Sequence, residues 1–385
     1  MQPSDVSQAI LESKAPAMGE RAKAWLRLAL AVLVVLAGGE VLVRLWITGP
    51  SIHAFDPDIG YSYRPNSELF QAKEGVTRLH FNALGLNDTE ITPKDGRCRV
   101  MVVGDSYTTA LQVPQAQNFS SVAERLDGRL DVVNGGRDGL FLGDLHKVSA
   151  RLLPAVQPDL VVYVVSQRAV EADIRLPEFS VVSDPATGRV TDAVMRVEAK
   201  EALKETFAPL LRESALATRL SSQLQPAAVS ALQMVQGWRA WLSPGSTARA
   251  AAPAAAPAAA ASRPAEEEVL RYVFRRLGDG APAALLYIDA LAYKPHRQAA
   301  VAPTSAKAEA TARRAAERAG VPFFATGEEL AASVARTGQP PYGFHNALLP
   351  GGHLNVQGHE AVGRALASLV REVGPSLSGS GCSAK

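Results

Sequence analysis

Five short apolar runs, each followed by a stretch of helical spacing, restrict this chain to one kind of fold. They are Val100-Met101-Val102-Val103, Leu130-Asp131-Val132-Val133, the run Asp159 to Val165, Ala284-Leu285-Leu286-Tyr287-Ile288 and Val321-Pro322-Phe323-Phe324-Ala325. Apolar runs without a polar alternation suit strands covered on both faces, which occur in parallel sheets flanked by helices. Helical periodicity falls at about 118–126, with Asn118 as its N-cap, and at about 142–153, 266–277, 305–319 and 327–335, with a last helix from Glu360 to about Val373. Strand and helix alternating at this spacing predict right-handed crossovers, hence an α/β protein. The reading is a three-layer α/β/α structure on a doubly wound parallel sheet of about five strands.

The rhythm is broken once, between residues 176 and 265, so residues 98–175 and 266–374 read as two parts of one α/β domain. Within the break, residues 177–193 read as loop and 195–243 as mostly helical, and Ala250 to Pro264 is an Ala/Pro linker. Leu210, Leu211, Leu216, Leu220, Leu232, Val235, Trp238 and Trp241 mark amphipathic helices. These either cover the sheet and one another or face a membrane or an envelope-protein partner.

A different constraint governs the amino-terminal end. Residues 25–47 are nearly continuously apolar, long enough to cross a bilayer core of about 30 Å. Arg21, Lys23 and Arg27 flank this stretch on the amino-terminal side, which predicts a cytoplasmic tail (residues 1–24), a retained signal anchor and an outward-facing remainder. In a bacterium this is a single-pass inner-membrane protein with a periplasmic or extracellular main domain. Ala37-Gly38-Gly39 keeps cleavage open as an alternative. Glu40 and Arg44, four residues apart, can pair on one helix face and lower the cost of immersion. Residues 48–97, punctuated by Pro, Gly and Asn, read as a β-rich extension packing on the α/β domain, and residues 375–385 as a flexible tail.

Composition excludes several functions. Lys plus Arg number 40 and Asp plus Glu 38, a net charge of +2, so no electrostatic footprint for nucleic acid is expected. The 2 cysteines, Cys98 and Cys382, cannot make a zinc site; Cys98 reads as a small buried hydrophobe, with a long-range bridge to Cys382 as the alternative in an oxidising compartment. The 7 histidines lack ligand spacing backed by a carboxylate or thiol cluster, and no Gly-rich phosphate loop of nucleotide-binding spacing is present. Neither metal nor cofactor is expected.

Chemistry concentrates at the ends of two runs. Val102-Val103 gives way to Gly104-Asp105-Ser106-Tyr107-Thr108, which would place Ser106 at the carboxyl end of a parallel strand, where open α/β sheets put their ligands. Tight turns use the same three residues, so the motif alone decides nothing. A serine hydroxyl needs a neighbouring base, and Gly351-Gly352-His353-Leu354-Asn355-Val356-Gln357-Gly358-His359 offers His353 or His359 at a loop-to-helix junction on the same face of the sheet.

Taken in order, Gly104-Asp105-Ser106-Tyr107-Thr108, Asn134-Gly135-Gly136, and His353-Leu354-Asn355 with Gly358-His359 resemble the successive blocks of the SGNH/GDSL hydrolase superfamily. Asp56 to Tyr61, Arg64-Pro65-Asn66 and Asn82 to Asp88 resemble its membrane-anchored bacterial members. The likeness covers about residues 25–170 and 265–373. It implies a flavodoxin-like sheet of the SGNH type. Ser106 would be the nucleophile and an oxyanion donor through its N–H, Gly136 the second donor, and His353 the general base, leaving His359 structural. Two positions depart from the pattern. The third block commonly reads Asn-Asp after its strand, whereas this chain has Ser166-Gln167-Arg168, which makes Gln167 the third donor. The Asp usually three residues before the histidine is Pro350, and Asp289 is the conceivable substitute as orienting acid.

The resulting expectation is a membrane-anchored esterase or O-acyltransferase acting on acylated carbohydrate of the cell envelope. Two alternatives stand beside it: a non-catalytic descendant that binds glycan or scaffolds a synthesis complex, and an unrelated α/β binding protein. Retention of Ser106 and His353 favours the first; Gln167-Arg168 and Pro350 favour the second.

Overall fold

Each of the five apolar runs forms a strand, and the five pair in parallel. The computed structural model describes residues 19–46, 52–56, 58–195, 214, 216, 265–294, 298–347, 349–377 and 381–383. These fall into two units, Met1–Ser51 with Leu210–Trp238, and Ile52–Pro209 with Arg239–Lys385.

In the first unit, helix α1 (Glu20–Trp46) contains the segment Arg21–Arg44, long and apolar enough to cross a membrane, with none of its most apolar stretch buried. Arg44 Nε lies 2.7 Å from Glu40 Oε1, the pairing that the four-residue spacing predicts. The second Glu40 oxygen accepts from Ser214 Oγ at 2.6 Å and Leu216 N at 2.9 Å. The predicted helices of residues 195–243 and the linker at 250–264 otherwise lie outside the described residues.

The second unit opens with two antiparallel hairpins, β1 (His53–Asp56) with β2 (Gly60–Tyr63), and β3 (Glu68–Gln71) with β4 (Thr77–His80). The parallel sheet is built from β5 (Cys98–Val103), β6 (Leu130–Asn134) and β7 (Leu160–Ser166). After the hairpin β8 (Phe179–Ser183) and β9 (Val190–Met195) it resumes with β10 (Ala283–Ile288). A further hairpin, β11 (Leu291–Lys294) and β12 (Gln298–Val301), precedes the last sheet strand, β13 (Phe323–Ala325). Spatial order is β13-β10-β7-β5-β6. Numbered along the chain this is 2-1-3-4-5, the flavodoxin-like order, so the switch point lies between β5 and β7. Ser106 follows β5 directly.

Among the described residues, the α-helices after α1 are α2 (Ser106–Thr109), α3 (Phe119–Leu126), α4 (Leu145–Val156), α5 (Glu266–Leu277), α6 (Pro303–Ala319), α7 (Gly327–Thr337) and α8 (Val356–Val373). All six residues of β5 are buried because alternate side chains enter different layers. Met101 and Val103 pack with Val148 of α4, Phe274 of α5 and Ala312 of α6. Val100 and Val102 pack with Phe119 of α3, Leu330 of α7 and Leu366 of α8. At the foot of this strand Arg99, 3% exposed, donates to Asp131 Oδ2 at 2.6 Å and to the carbonyls of Val156 and Thr92, so its buried charge is fully engaged.

Three expectations are corrected. Cys98 is not a free buried thiol but is bonded to Cys382 across a sequence separation of 284. The tail therefore returns to the start of β5, and a methyl added at Gly381 would stand 2.5 Å from the Arg97 carbonyl oxygen. Residues 177–193 are not loop, for β8 and β9 form a hairpin there. Its Phe179, Val190, Ala193 and Met195 join the core, and the partly polar strands, turning at Gly188 (φ 67°), conceal this in the sequence. Lastly, α8 begins at Val356 rather than Glu360, because Asn355 Oδ1 caps it by accepting from Gln357 N and Gly358 N.

Candidate active site

The turn that carries Ser106 is held from beneath, beside and behind. Asp105 Oδ1 accepts from Tyr107 N at 3.1 Å, capping the short turn that starts at Ser106. Gly104 is needed for close approach: an added methyl would stand 2.2 Å from Thr108 Oγ1 and 2.8 Å from Val164 Cβ. Asn134 Nδ2 donates to the Thr108 carbonyl at 2.8 Å, and Asn87 Nδ2 to that of Thr109 at 2.7 Å. Asn87 comes from the Asn82–Asp88 stretch, which therefore reaches the Ser106 turn itself. Behind it, Arg168 donates to Asp105 Oδ2 at 3.2 Å and to Asp173 Oδ1 at 2.9 Å, with its guanidinium over the Phe141 ring. Burial raises the Asp105 pKa and pushes Asp173 up to about 6, while Arg168 pulls both back toward the ionised form.

Ser106 and His353 open into one cavity of about 670 Å³. Its walls are apolar at Ile288, Leu291 and Tyr342, and polar at Gln167, Arg168 and Glu171. Among the described residues no hydrogen bond joins Ser106 Oγ to His353; such bonds often tighten only when substrate binds. The turn carrying the histidine is fixed by Asn355, whose Nδ2 donates to the carbonyls of Pro340 (2.7 Å) and Gly343 (3.1 Å). Gly358 is small because an added methyl would stand 2.2 Å from the Pro341 carbonyl oxygen. The rings of Tyr107 and His353 meet edge to face at 5.9 Å.

The carboxylate beside His353 is Glu74, from the turn between β3 and β4. Its Oε2 lies 2.6 Å from His353 Nδ1, and its Oε1 accepts from the His353 backbone N–H at 2.7 Å. Asp289, the conceivable substitute, is fully buried elsewhere, where its Oδ2 accepts from Gly327 N at 2.8 Å and its Oδ1 from Ser305 Oγ at 3.2 Å. Its role there is to tie the end of β10 to α6 and α7. Nothing in the sequence singles out Glu74, because hairpin pairing and a loop far along the chain bring it to the histidine.

The expected oxyanion donors are placed less simply. Gly136 N donates to Asn134 Oδ1 at 2.9 Å, and an added methyl would lie 2.3 Å from Thr109 N, so this glycine packs against the Ser106 turn with its N–H taken. Gln167 Nε2 donates to Glu171 Oε2 at 2.9 Å. Among the described residues, the Ser106 amide and that of Gly139, an exposed glycine with φ 70° in the Gly136 loop, donate to no protein acceptor. Residues 168–172 form one π-helical turn, which sets Arg168 and Glu171 along the cavity wall.

His359 does not line the cavity. It is 1% exposed on α8, stacked on Phe119 with centroids 5.8 Å apart, and its Nδ1 has no hydrogen-bond partner in the structure. Burial, assisted by the nearby His353, lowers its pKa from 6.5 to about 3. Between those values the unfolded chain binds the extra proton and the folded chain does not, so stability falls as pH falls. Lowering pH from 7 to 4.5 should therefore cost the protein about 2–3 kcal/mol more than it costs His359→Phe, read from urea unfolding followed by circular dichroism.

No family model matches the chain. No curated protein matches it either. Solved structures similar to it include an α/β-hydrolase enzyme from the metagenome of Lake Arreo, with 15% identity over 75% of this chain and 97% of that one and a TM-score of 0.33. A catalytic mutant of an acetylxylan esterase from Geobacillus stearothermophilus is 13% identical over 72% and 95% of the two chains, with a TM-score of 0.35. A member of the lipolytic G-D-S-L family from Veillonella parvula is 9% identical over 70% and 96%, with a TM-score of 0.31. Similarity at this level assigns neither family nor activity.

Proposed function

We propose that this chain is a serine esterase or O-acyltransferase of the SGNH/GDSL kind, anchored in a membrane through α1 and acting on acyl esters of envelope or exported carbohydrate. One observation carries the reading: Ser106, on the turn leaving β5 at the switch point of the sheet, and His353, on the turn entering α8, open into the same cavity. His353 takes the Ser106 hydroxyl proton on Nε2 as Oγ attacks the acyl carbonyl. The Ser106 amide receives the developing oxyanion. The protonated imidazole then gives its proton to the departing alcohol, leaving an acyl-serine, which water or a sugar hydroxyl cleaves by the same steps in reverse.

The disulfide supports an oxidising compartment, where such bonds persist, and so an outward-facing catalytic unit. A second reading, a glycan-binding or scaffolding protein without turnover, is favoured by the engaged Gly136 amide and Gln167 side chain. A fluorophosphonate probe separates the two. The esterase reading expects a covalent adduct on folded protein that is lost in Ser106→Ala; equal labelling of both proteins, or of neither, would end it.

A further inference from the structure

We propose that Glu74 is the positioning residue of the His353 imidazole, so that the segment following α1 in the chain completes a site whose other members belong to the α/β sheet; this rests on the esterase reading. Both Glu74 oxygens are committed to one residue, Oε1 to the His353 N–H and Oε2 to Nδ1. Carboxylate oxygens accept hydrogen bonds, so this contact sets the imidazole hydrogen on Nδ1 and leaves Nε2 as the basic atom. The two side chains are 19% and 30% exposed, which keeps the contact partly shielded from water.

The surroundings are built to admit this carboxylate. Gly352 has φ 91°, and a methyl there would lie 2.2 Å from Glu74 Oε1, so any other residue at that position would displace the acid. Gln71 braces the hairpin tip: its Oε1 accepts from Lys73 N at 2.5 Å and Glu74 N at 3.2 Å, and its Nε2 donates to the Glu74 carbonyl at 2.5 Å. Asn346, in the loop that leads to His353, clasps the same tip. Its Oδ1 accepts from Gly75 N at 2.9 Å and its Nδ2 donates to the carbonyls of Ala72 (3.1 Å) and Gly75 (3.0 Å). Hairpin and histidine loop are thus fastened together on either side of the carboxylate. The other acids around the cavity are held elsewhere, Asp105 by Tyr107 and Arg168, and Glu171 by Gln167.

A merely structural Glu74 would cap the Gly351-Gly352-His353 turn without influencing the ring, and the test separates the two roles. It uses the full-length chain in detergent or nanodiscs, with 15N-labelled histidine and p-nitrophenyl acetate as substrate. In the unmodified protein the His353 ring should carry its hydrogen on Nδ1, and in Glu74→Ala it should exchange between tautomers. Glu74→Gln should lower kcat by about 1,000- to 10,000-fold with KM within about threefold, and Glu74→Asp should recover at least about tenfold of that loss. Gly352→Ala, which displaces the acid without altering it, should lower kcat in the same direction. An active wild type whose Glu74→Gln variant keeps kcat within about threefold would overturn the proposal. So would an Nε2–H tautomer in the unmodified protein, a readout that needs no variant to fold. If the Nδ1–H signal depends on Glu74 while Ser106 takes no probe, the esterase reading fails and the positioning role stands.

Discussion

Ser106→Ala and His353→Ala should each lower the kcat for p-nitrophenyl acetate by about 10⁴- to 10⁶-fold, and the double variant should be no slower than Ser106→Ala alone. This is the expected behaviour of two groups acting as one unit: without the hydroxyl the base has nothing to deprotonate, and without the base the hydroxyl is a poor nucleophile. Folding should be unaffected by the first change. Ser106 is partly exposed and its side chain makes no hydrogen bond among the described residues, which places the substitution in the class that shifts stability by about 0.5 kcal/mol or less. Steady-state kinetics of the three variants, with unfolding midpoints as a control, provide the check. Additive losses would mean that Ser106 and His353 do not act on the same proton.

The second large effect concerns the disulfide. Replacing Cys98 and Cys382 by serine should cost the unit that carries the parallel sheet about 2–5 kcal/mol of unfolding free energy, because the bond closes a loop with a separation of 284 residues and removes much of the unfolded chain's freedom. Reductant should lower the stability of the unmodified protein by a similar amount and leave the serine variant unchanged. The comparison is made by urea titration followed by far-ultraviolet circular dichroism. A loss under about 1 kcal/mol would show that the tail adds nothing to the start of β5.

Legibility followed the range of the interaction. Strand β5 was readable because Val100 to Val103 are apolar on both faces, and α3 because Asn118 announces its cap, where its Oδ1 accepts from Ser121 N. The β8–β9 hairpin was not, since its strands carry polar residues and its buried side chains are defined by a core assembled from distant segments. Asn134-Gly135-Gly136 was legible as a loop, yet the fate of the Gly136 N–H depended on where the Asn134 side chain turned.

The stretch Gly104-Asp105-Ser106 and the histidine turn at Gly351 to Asn355 were both determined locally. Strand ends, tight turns and helix caps depend on residues close in sequence, and those residues are printed side by side. Which carboxylate serves the histidine was decided only in three dimensions. Pro350 brings no carboxylate to the turn before His353, and the sheet-end Asp289 is consumed by Gly327 and Ser305. Glu74 arrives because the β3–β4 hairpin is clasped by Asn346 and because Gly352 leaves it room, contacts that pair residues hundreds of positions apart. A single sequence encodes such pairings in no local pattern, since the energy that selects them appears only once both segments are packed on the same sheet.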